Sequence, residues 1–164
     1  MGQAKTKINF DSDWSYDPAP QATDFIKLQE RYGLYINGKF KPSENGRSFH
    51  TINPATEEKL AEVSEASEKD VNRAVRSAKE AYEKVWSKIS PKERGKYVYR
   101  IARLIQERAR EFAVIETMDG GKPIRESRDI DIPLAAAHFF YYAGWADKLD
   151  HAFPGRKTKP LGVA

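Results

Sequence analysis

The sequence predicts an α/β fold in which a small antiparallel strand unit is followed by long amphipathic helices. Three observations carry that expectation. β-prone runs flank Asn37-Gly38 and stop at Asn53-Pro54, apolar positions recur at helical spacing from Val71 to Val85, and a glycine-proline turn at Gly120-Gly121-Lys122-Pro123 precedes an almost wholly apolar block from Ile132 to Trp145. Side chains alternate along a strand but return to one face every three or four residues along a helix, so the two patterns separate by period.

Residues 1–22 mix polar side chains with Pro18, Pro20 and scattered aromatics such as Trp14 and Tyr16, and they predict an extended or mobile arm. Thr23 is placed to cap a short helix over residues 24–31, where Phe25, Ile26 and Leu28 offer one apolar side. Asn37-Gly38 then fits a type I′ hairpin, whose two central residues must both accept positive φ. Ser48 to Ile52 forms the next strand and Lys59 to Val63 its partner; Pro54 has no N–H to add to a ladder. Residues 33–63 therefore predict one small antiparallel unit.

Ser67 starts a helix with Asp70 three residues on as its capping acid. Val71, Ala74, Val75, Ala78, Ala81, Tyr82 and Val85 make its apolar face. Ser90-Pro91-Lys92-Glu93 is a second start signal, with serine at the cap, proline in the first turn and glutamate at the third helical position. Val98, Ile101, Ile105, Phe112 and Ile115 then carry a stripe to Met118, which predicts a single rod about 42 Å long. Gly120 and Gly121 end it. The block from Ile132 to Trp145 is apolar on all sides, so it belongs in a core or an interface, with His138 as a satisfied core residue. Beyond Asp150 the chain is rich in Pro, Gly and Lys, and Leu161-Gly162-Val163-Ala164 looks like the opening of a buried strand, so the domain reads as unfinished there.

The charges narrow the functional classes. Lys and Arg number 28 against 24 Asp and Glu, a net +4 spread along the chain, and interspersed charge is a solvated surface rather than a nucleic-acid footprint. There is no cysteine, which excludes disulfides, thiolate metal sites and a cysteine nucleophile within these 164 residues. No apolar run reaches the roughly 18 residues of a membrane span. Gly2 and Thr6 match the short myristoylation pattern formally, but such matches are mostly accidental. The expectation is a cytoplasmic chain with neither nucleic acid nor membrane as partner.

Catalytic motifs are absent. No GxGxxG or GxxxxGK[ST] phosphate loop, no GxSxG elbow and no HExxH pair occurs, and His50, His138 and His151 lie far apart. Gly120-Gly121-Lys122 has no strand feeding it, so helix punctuation is the better reading than a phosphate cradle. Asp129 and Asp131 read as charges at a helix start, not an acid/base pair.

An ordered series of motifs nevertheless resembles the aldehyde dehydrogenase family. Leu34-Tyr35-Ile36-Asn37-Gly38-Lys39-Phe40 is similar to that family's opening INGxW/F hairpin, and Thr51-Ile52-Asn53-Pro54-Ala55-Thr56 to its NPATGE turn, with Glu57 where the glycine usually stands. The helices from Ser67 to Trp86 and from Ser90 to Leu104 fit its pattern. Glu116-Thr117-Met118-Asp119-Gly120-Gly121-Lys122-Pro123 resembles ETLDNGKP, with glycine in the asparagine place. Tyr142-Ala143-Gly144-Trp145-Ala146-Asp147-Lys148 matches the YYAGWADK type, and Pro160-Leu161-Gly162-Val163 resembles the strand leading into the cofactor half. The resemblance covers about residues 30–164.

The resemblance implies the N-terminal part of an aldehyde dehydrogenase fold, with residues 23–164 as the opening, incomplete segment of a Rossmann-like cofactor-binding domain behind the 1–22 arm. The complete enzyme would oxidise an aldehyde to a carboxylic acid through a cysteine thiohemiacetal, hydride transfer to NAD or NADP, and hydrolysis of the thioester. The family's cysteine, activating glutamate, oxyanion asparagine and cofactor contacts correspond to no residue of this chain. It follows that no catalytic or cofactor-binding residue is expected here, that no nucleotide is expected to bind this chain alone, and that the chain alone is expected to be inactive. What the resemblance does transfer is a monovalent-cation site at Thr51, Ile52 and Asp119. The expected partner is the rest of the dehydrogenase chain or a homo-oligomer partner. The stretch His151 to Lys159 is shorter than the family's tetramer arm, which argues against the usual tetramer and leaves a dimer open. A non-catalytic binding or scaffold module derived from the same family is the alternative.

Overall fold

The computed structural model describes residues 22–156 and Val163. The expected arm over residues 1–22 and the expected strand at Pro160-Leu161-Gly162 lie almost wholly outside the described residues. Five short strands precede the helices: β1 (Arg31–Tyr32), β2 (Leu34–Ile36), β3 (Lys39–Lys41), β4 (Ser48–Ile52) and β5 (Lys59–Ser64).

The hairpin forms where Asn37-Gly38 places it. Asn37 has φ 53° and Gly38 φ 74°, and β2 pairs antiparallel with β3, Ile36 opposite Lys39 and Tyr35 opposite Phe40. Tyr35 and Phe40 meet ring to ring at 5.0 Å. The single antiparallel unit expected over 33–63 does not form. The hairpin stays a separate two-stranded ribbon, while β4 and β5 pair antiparallel and β1 adds to β5 in parallel, in the order β1-β5-β4. The helix expected over residues 24–31 is also absent: only one turn closes, with Ile26 N–H donating to Thr23 O at 2.9 Å. Eight residues are too few to sustain a helix without packing. Glu62 N–H instead donates to Glu30 O at 2.9 Å, which draws the end of that segment into the sheet as β1.

α1 (Glu68–Ala81) begins as its start signal requires. The Ser67 hydroxyl accepts from Asp70 N–H, and the Asp70 carboxylate accepts from Ser67 N–H at 3.0 Å and from the Ser67 hydroxyl at 2.7 Å. The same carboxylate also accepts from Glu44 N–H at 3.0 Å and pairs with Arg73 at 2.7 Å. Asp70 is 1% exposed. A helix cap thus doubles as the tie between α1 and the loop after β3. α1 runs into a π-helical turn, Tyr82–Trp86.

The long rod is two helices. α2 (Pro91–Glu107) is capped by Ser90, and α3 (Ala109–Gly120) starts after Arg108, whose φ −105° and ψ 18° interrupt the helical path. After α3 come the short α4 (Ile124–Glu126), a π-helical turn at Ser127–Asp131, α5 (Ile132–Trp145) and α6 (Leu149–Ala152). α5 lies along α2, with the Tyr99 and Phe140 rings edge to face at 5.0 Å. Ala102 on α2 and Ala136 on α5 are buried, at 0% and 2% exposure, so the small side chain sets how closely each helix is packed. Overpacking a core typically costs about 1–3 kcal/mol. Ala102→Leu is expected to lower stability by about that amount, read as a shifted urea midpoint.

α5 does not sink into a core as its composition suggests. Leu134, Tyr141 and Tyr142 are more than half exposed, and His138 is exposed rather than a core residue. Its one buried residue is Ala136. Contiguous apolar surface of this kind marks an interaction face in a folded protein. Among the described residues no helix is long and apolar enough to cross a membrane.

Candidate functional site

The turns that follow the two segments singled out for a cation, one after β4 and one after α3, touch at Pro54 and Gly121. The β4–β5 register shifts between Thr51 and Ile52, and the chain then turns sharply. Asn53 organises the turn: its side-chain oxygen accepts from Ala55 N–H at 3.0 Å and its carbonyl from Glu57 N–H at 2.8 Å. Glu57 has φ 60°, a left-handed conformation that an L-residue adopts at a cost of about 1–2 kcal/mol. That conformation is a physical reason for glycine to be favoured at this position.

α3 ends on Gly121, at φ 71° and ψ 7°, with its N–H donating to Thr117 O at 3.0 Å. A left-handed glycine is the usual way to satisfy the last helical carbonyls. Gly121 packs on the turn: a Cβ added there would lie 3.1 Å from both Cβ and Cγ of Pro54. Asp119 precedes Gly121 by two residues and Ile52 precedes Pro54 by two, so each candidate stretch lies two residues from the seam. Thr51 is half-buried, Ile52 is 46% exposed and Asp119 is exposed. No group of three or more His, Asp or Glu side chains among the described residues is arranged to hold a metal ion, so any cation here would rely on backbone oxygens beside the single Asp119 carboxylate.

Two further contacts hold the turn after α3, and spacing alone did not reveal them. Lys122 donates to Asp131 at 2.8 Å and pairs with Glu116 at 3.0 Å. Its ammonium is held well above the ordinary lysine range, first by the Asp131 hydrogen bond and then by Glu116. Thr117 and Ser127 share a hydroxyl hydrogen bond at 3.0 Å, and Ser127 is fully buried. Asp131 is therefore a tether and Asp129 pairs with Arg128 at 2.6 Å, so neither carboxylate is free to act in an acid/base pair. His50 and His151 are exposed and, like His138, belong to no ligand cluster.

The aldehyde dehydrogenase family model matches residues 40–163, most of the chain. The DhaS protein of Bacillus subtilis (strain 168) is 46% identical over 123 residues, which are 74% of this chain and 25% of that protein. An aldehyde dehydrogenase of Alternaria alternata is 40% identical over 152 residues, 88% of this chain and 30% of its own length. A solved NAD+ complex of an aldehyde dehydrogenase from Bacillus cereus superposes with a TM-score of 0.73 at 39% identity, over 81% of this chain and 27% of that one. The chain thus spans about a quarter of the length of the relatives it matches, and the residues matched include both sides of the Pro54–Gly121 seam. With the hairpin and both helix starts in the expected order and a family model matching most of its length, the chain belongs to the aldehyde dehydrogenase family.

Proposed function

We propose that these residues form the N-terminal layer of an NAD- or NADP-dependent enzyme that oxidises an aldehyde to a carboxylic acid. The supporting observation is a family match that covers most of this chain but about a quarter of its relatives, in a chain without cysteine. Thioester chemistry needs a thiolate. The strands, the α2–α5 pair and the seam would then act as scaffold, and the exposed face of α5 would lie against the remaining dehydrogenase chain or a second subunit. The purified 164-residue chain is expected to form no reduced nicotinamide from aldehyde and NAD+ or NADP+. Replacing the corresponding segment of the Bacillus cereus relative with this chain is expected to give an active hybrid. Turnover by the chain alone, or a folded hybrid without activity, would count against the reading.

We further infer that the carbonyl oxygens of Thr51 and Ile52 and the carboxylate of Asp119 contribute to a monovalent-cation site. The contact between Pro54 and Gly121 supports it, because it holds the two donor segments at one seam. A ligand that binds only the folded state raises its melting temperature. Potassium is expected to raise the melting temperature of the hybrid enzyme above that in choline chloride of equal ionic strength, and Asp119→Asn is expected to abolish the difference. An equal rise in both salts would remove the site.

A further inference from the structure

α2 and α5 leave a groove between them on the side that ends at Lys148. It is an open groove of about 480 Å³. Lys92, Lys96 and Arg100 line it from α2, and Lys148 lines it from beyond α5. The first three are spaced four residues apart, so they form one row along the helix. Like charges at that spacing repel, which makes the row mildly unfavourable unless an anion joins it. Lys96 pairs with Glu93 at 3.0 Å and Lys148 with Asp147 at 2.9 Å. Lys92 and Arg100 have no salt-bridge partner among the described residues.

The groove also has an apolar floor. Tyr99 and Phe140 both line it, and Tyr99 is 53% exposed although its ring packs on Phe140. Gly144 leaves the groove open on the α5 side, since a Cβ added there meets nothing within 4 Å. The one acid facing the cavity, Asp147, is held below the usual carboxylate range, first by its hydrogen bond to Lys148, with a smaller contribution from Lys92. An aromatic surface beside a row of cations is complementary to a flat ring that carries a negative group. Guanidinium in particular matches phosphate in geometry.

We propose that this groove binds a small planar-ring phosphate of the nucleoside monophosphate class, with the ring against Tyr99 and Phe140 and the phosphate on the cation row of Lys92, Lys96 and Arg100. The proposal stands on the α2–α5 groove and requires that the remaining chain cover the Leu134 and Tyr141 side of α5 rather than the side of Phe140 and Gly144. The test is calorimetric titration of AMP into the 164-residue chain at low ionic strength, with adenosine and inorganic phosphate titrated separately. AMP is expected to bind more tightly than either half, and to weaken as salt is added. Arg100→Glu is expected to weaken AMP binding about tenfold or more. Gly144→Leu is expected to fill the groove and abolish AMP binding, while the chain melts no lower than the parent, since leucine is the better helix former. No heat with AMP, AMP binding that survives both substitutions, or adenosine or phosphate binding as tightly as AMP would each overturn the proposal.

Discussion

Asp70→Ala is expected to lower the melting temperature more than any other single side-chain truncation in α1. The carboxylate serves four donors at once: Ser67 N–H, the Ser67 hydroxyl, Glu44 N–H and Arg73. Removing it uncaps the helix, cuts the tie to the loop after β3 and leaves a half-buried guanidinium without its close partner. A buried donor left without an acceptor costs more than the net worth of the bond it made. Ser67→Ala is the comparison, because it removes the cap hydroxyl alone, for which about 1 kcal/mol is typical. A thermal melt in which Asp70→Ala loses no more than Ser67→Ala would show that the link to Glu44 is idle.

The same residue carries a pH signature. The Asp70 carboxyl is held below the ordinary aspartate range, first by the Ser67 hydroxyl and then by the Ser67 and Glu44 N–H groups. A carboxyl whose folded value is depressed stabilises the fold above its unfolded value, about 3.9, and loses that contribution as pH falls through the folded value. The gap in melting temperature between the parent and Asp70→Asn should therefore be constant near neutrality and close below about pH 4. Glu62, Glu111, Asp129 and Asp147 are depressed as well, so both proteins will lose stability in acid. The difference between them isolates Asp70.

Gly121→Ala is the second large effect. Two penalties coincide: a left-handed backbone at φ 71°, and a Cβ 3.1 Å from two atoms of Pro54. The backbone penalty alone is about 1–2 kcal/mol. Gly46 provides the control, since its φ is 68° and a Cβ there meets nothing within 4 Å. Gly46→Ala is expected to lose the backbone part only, and Gly121→Ala distinctly more in the same urea titration. Equal losses would mean that Pro54 yields freely and that the seam does not position Asp119.

Local signals in the sequence were reliable wherever one short stretch settles its own geometry. Asn37-Gly38 dictates its hairpin, because few other pairs accept two positive φ angles. Ser67 with Asp70, Ser90 with Pro91, and Gly121 mark helix ends, because each satisfies orphan backbone groups within a turn of itself. The ordered motifs from Leu34 to Lys148 identified the family for a similar reason: they are contiguous. The Thr23 start signal failed because its segment is too short to hold a helix without packing, and most of the other failed expectations depended on a partner elsewhere. Periodicity shows that Lys59 to Ser64 is a strand but not that Arg31 and Tyr32 pair with it in parallel. The apolar stripe across Arg108 shows one face and cannot show that the helix breaks there. His138 sits in an apolar block, yet its exposure depends on where α2 lies against α5.

The candidate site divides along the same line. Asp119 could be singled out from its motif, and so could Thr51 and Ile52, but only the fold sets Gly121 on Pro54. Lys122 looked like part of a glycine turn, and only the fold shows it held between Glu116 and Asp131. The sequence by itself determined the caps at Ser67 and Ser90, the turns at Asn37-Gly38 and Gly121, the family and the lack of a thiol, because each is a property of neighbouring residues or of composition. The tertiary structure decided strand partners, the seam, the tether at Lys122 and the exposure of α5, because each depends on packing between residues that the chain keeps far apart.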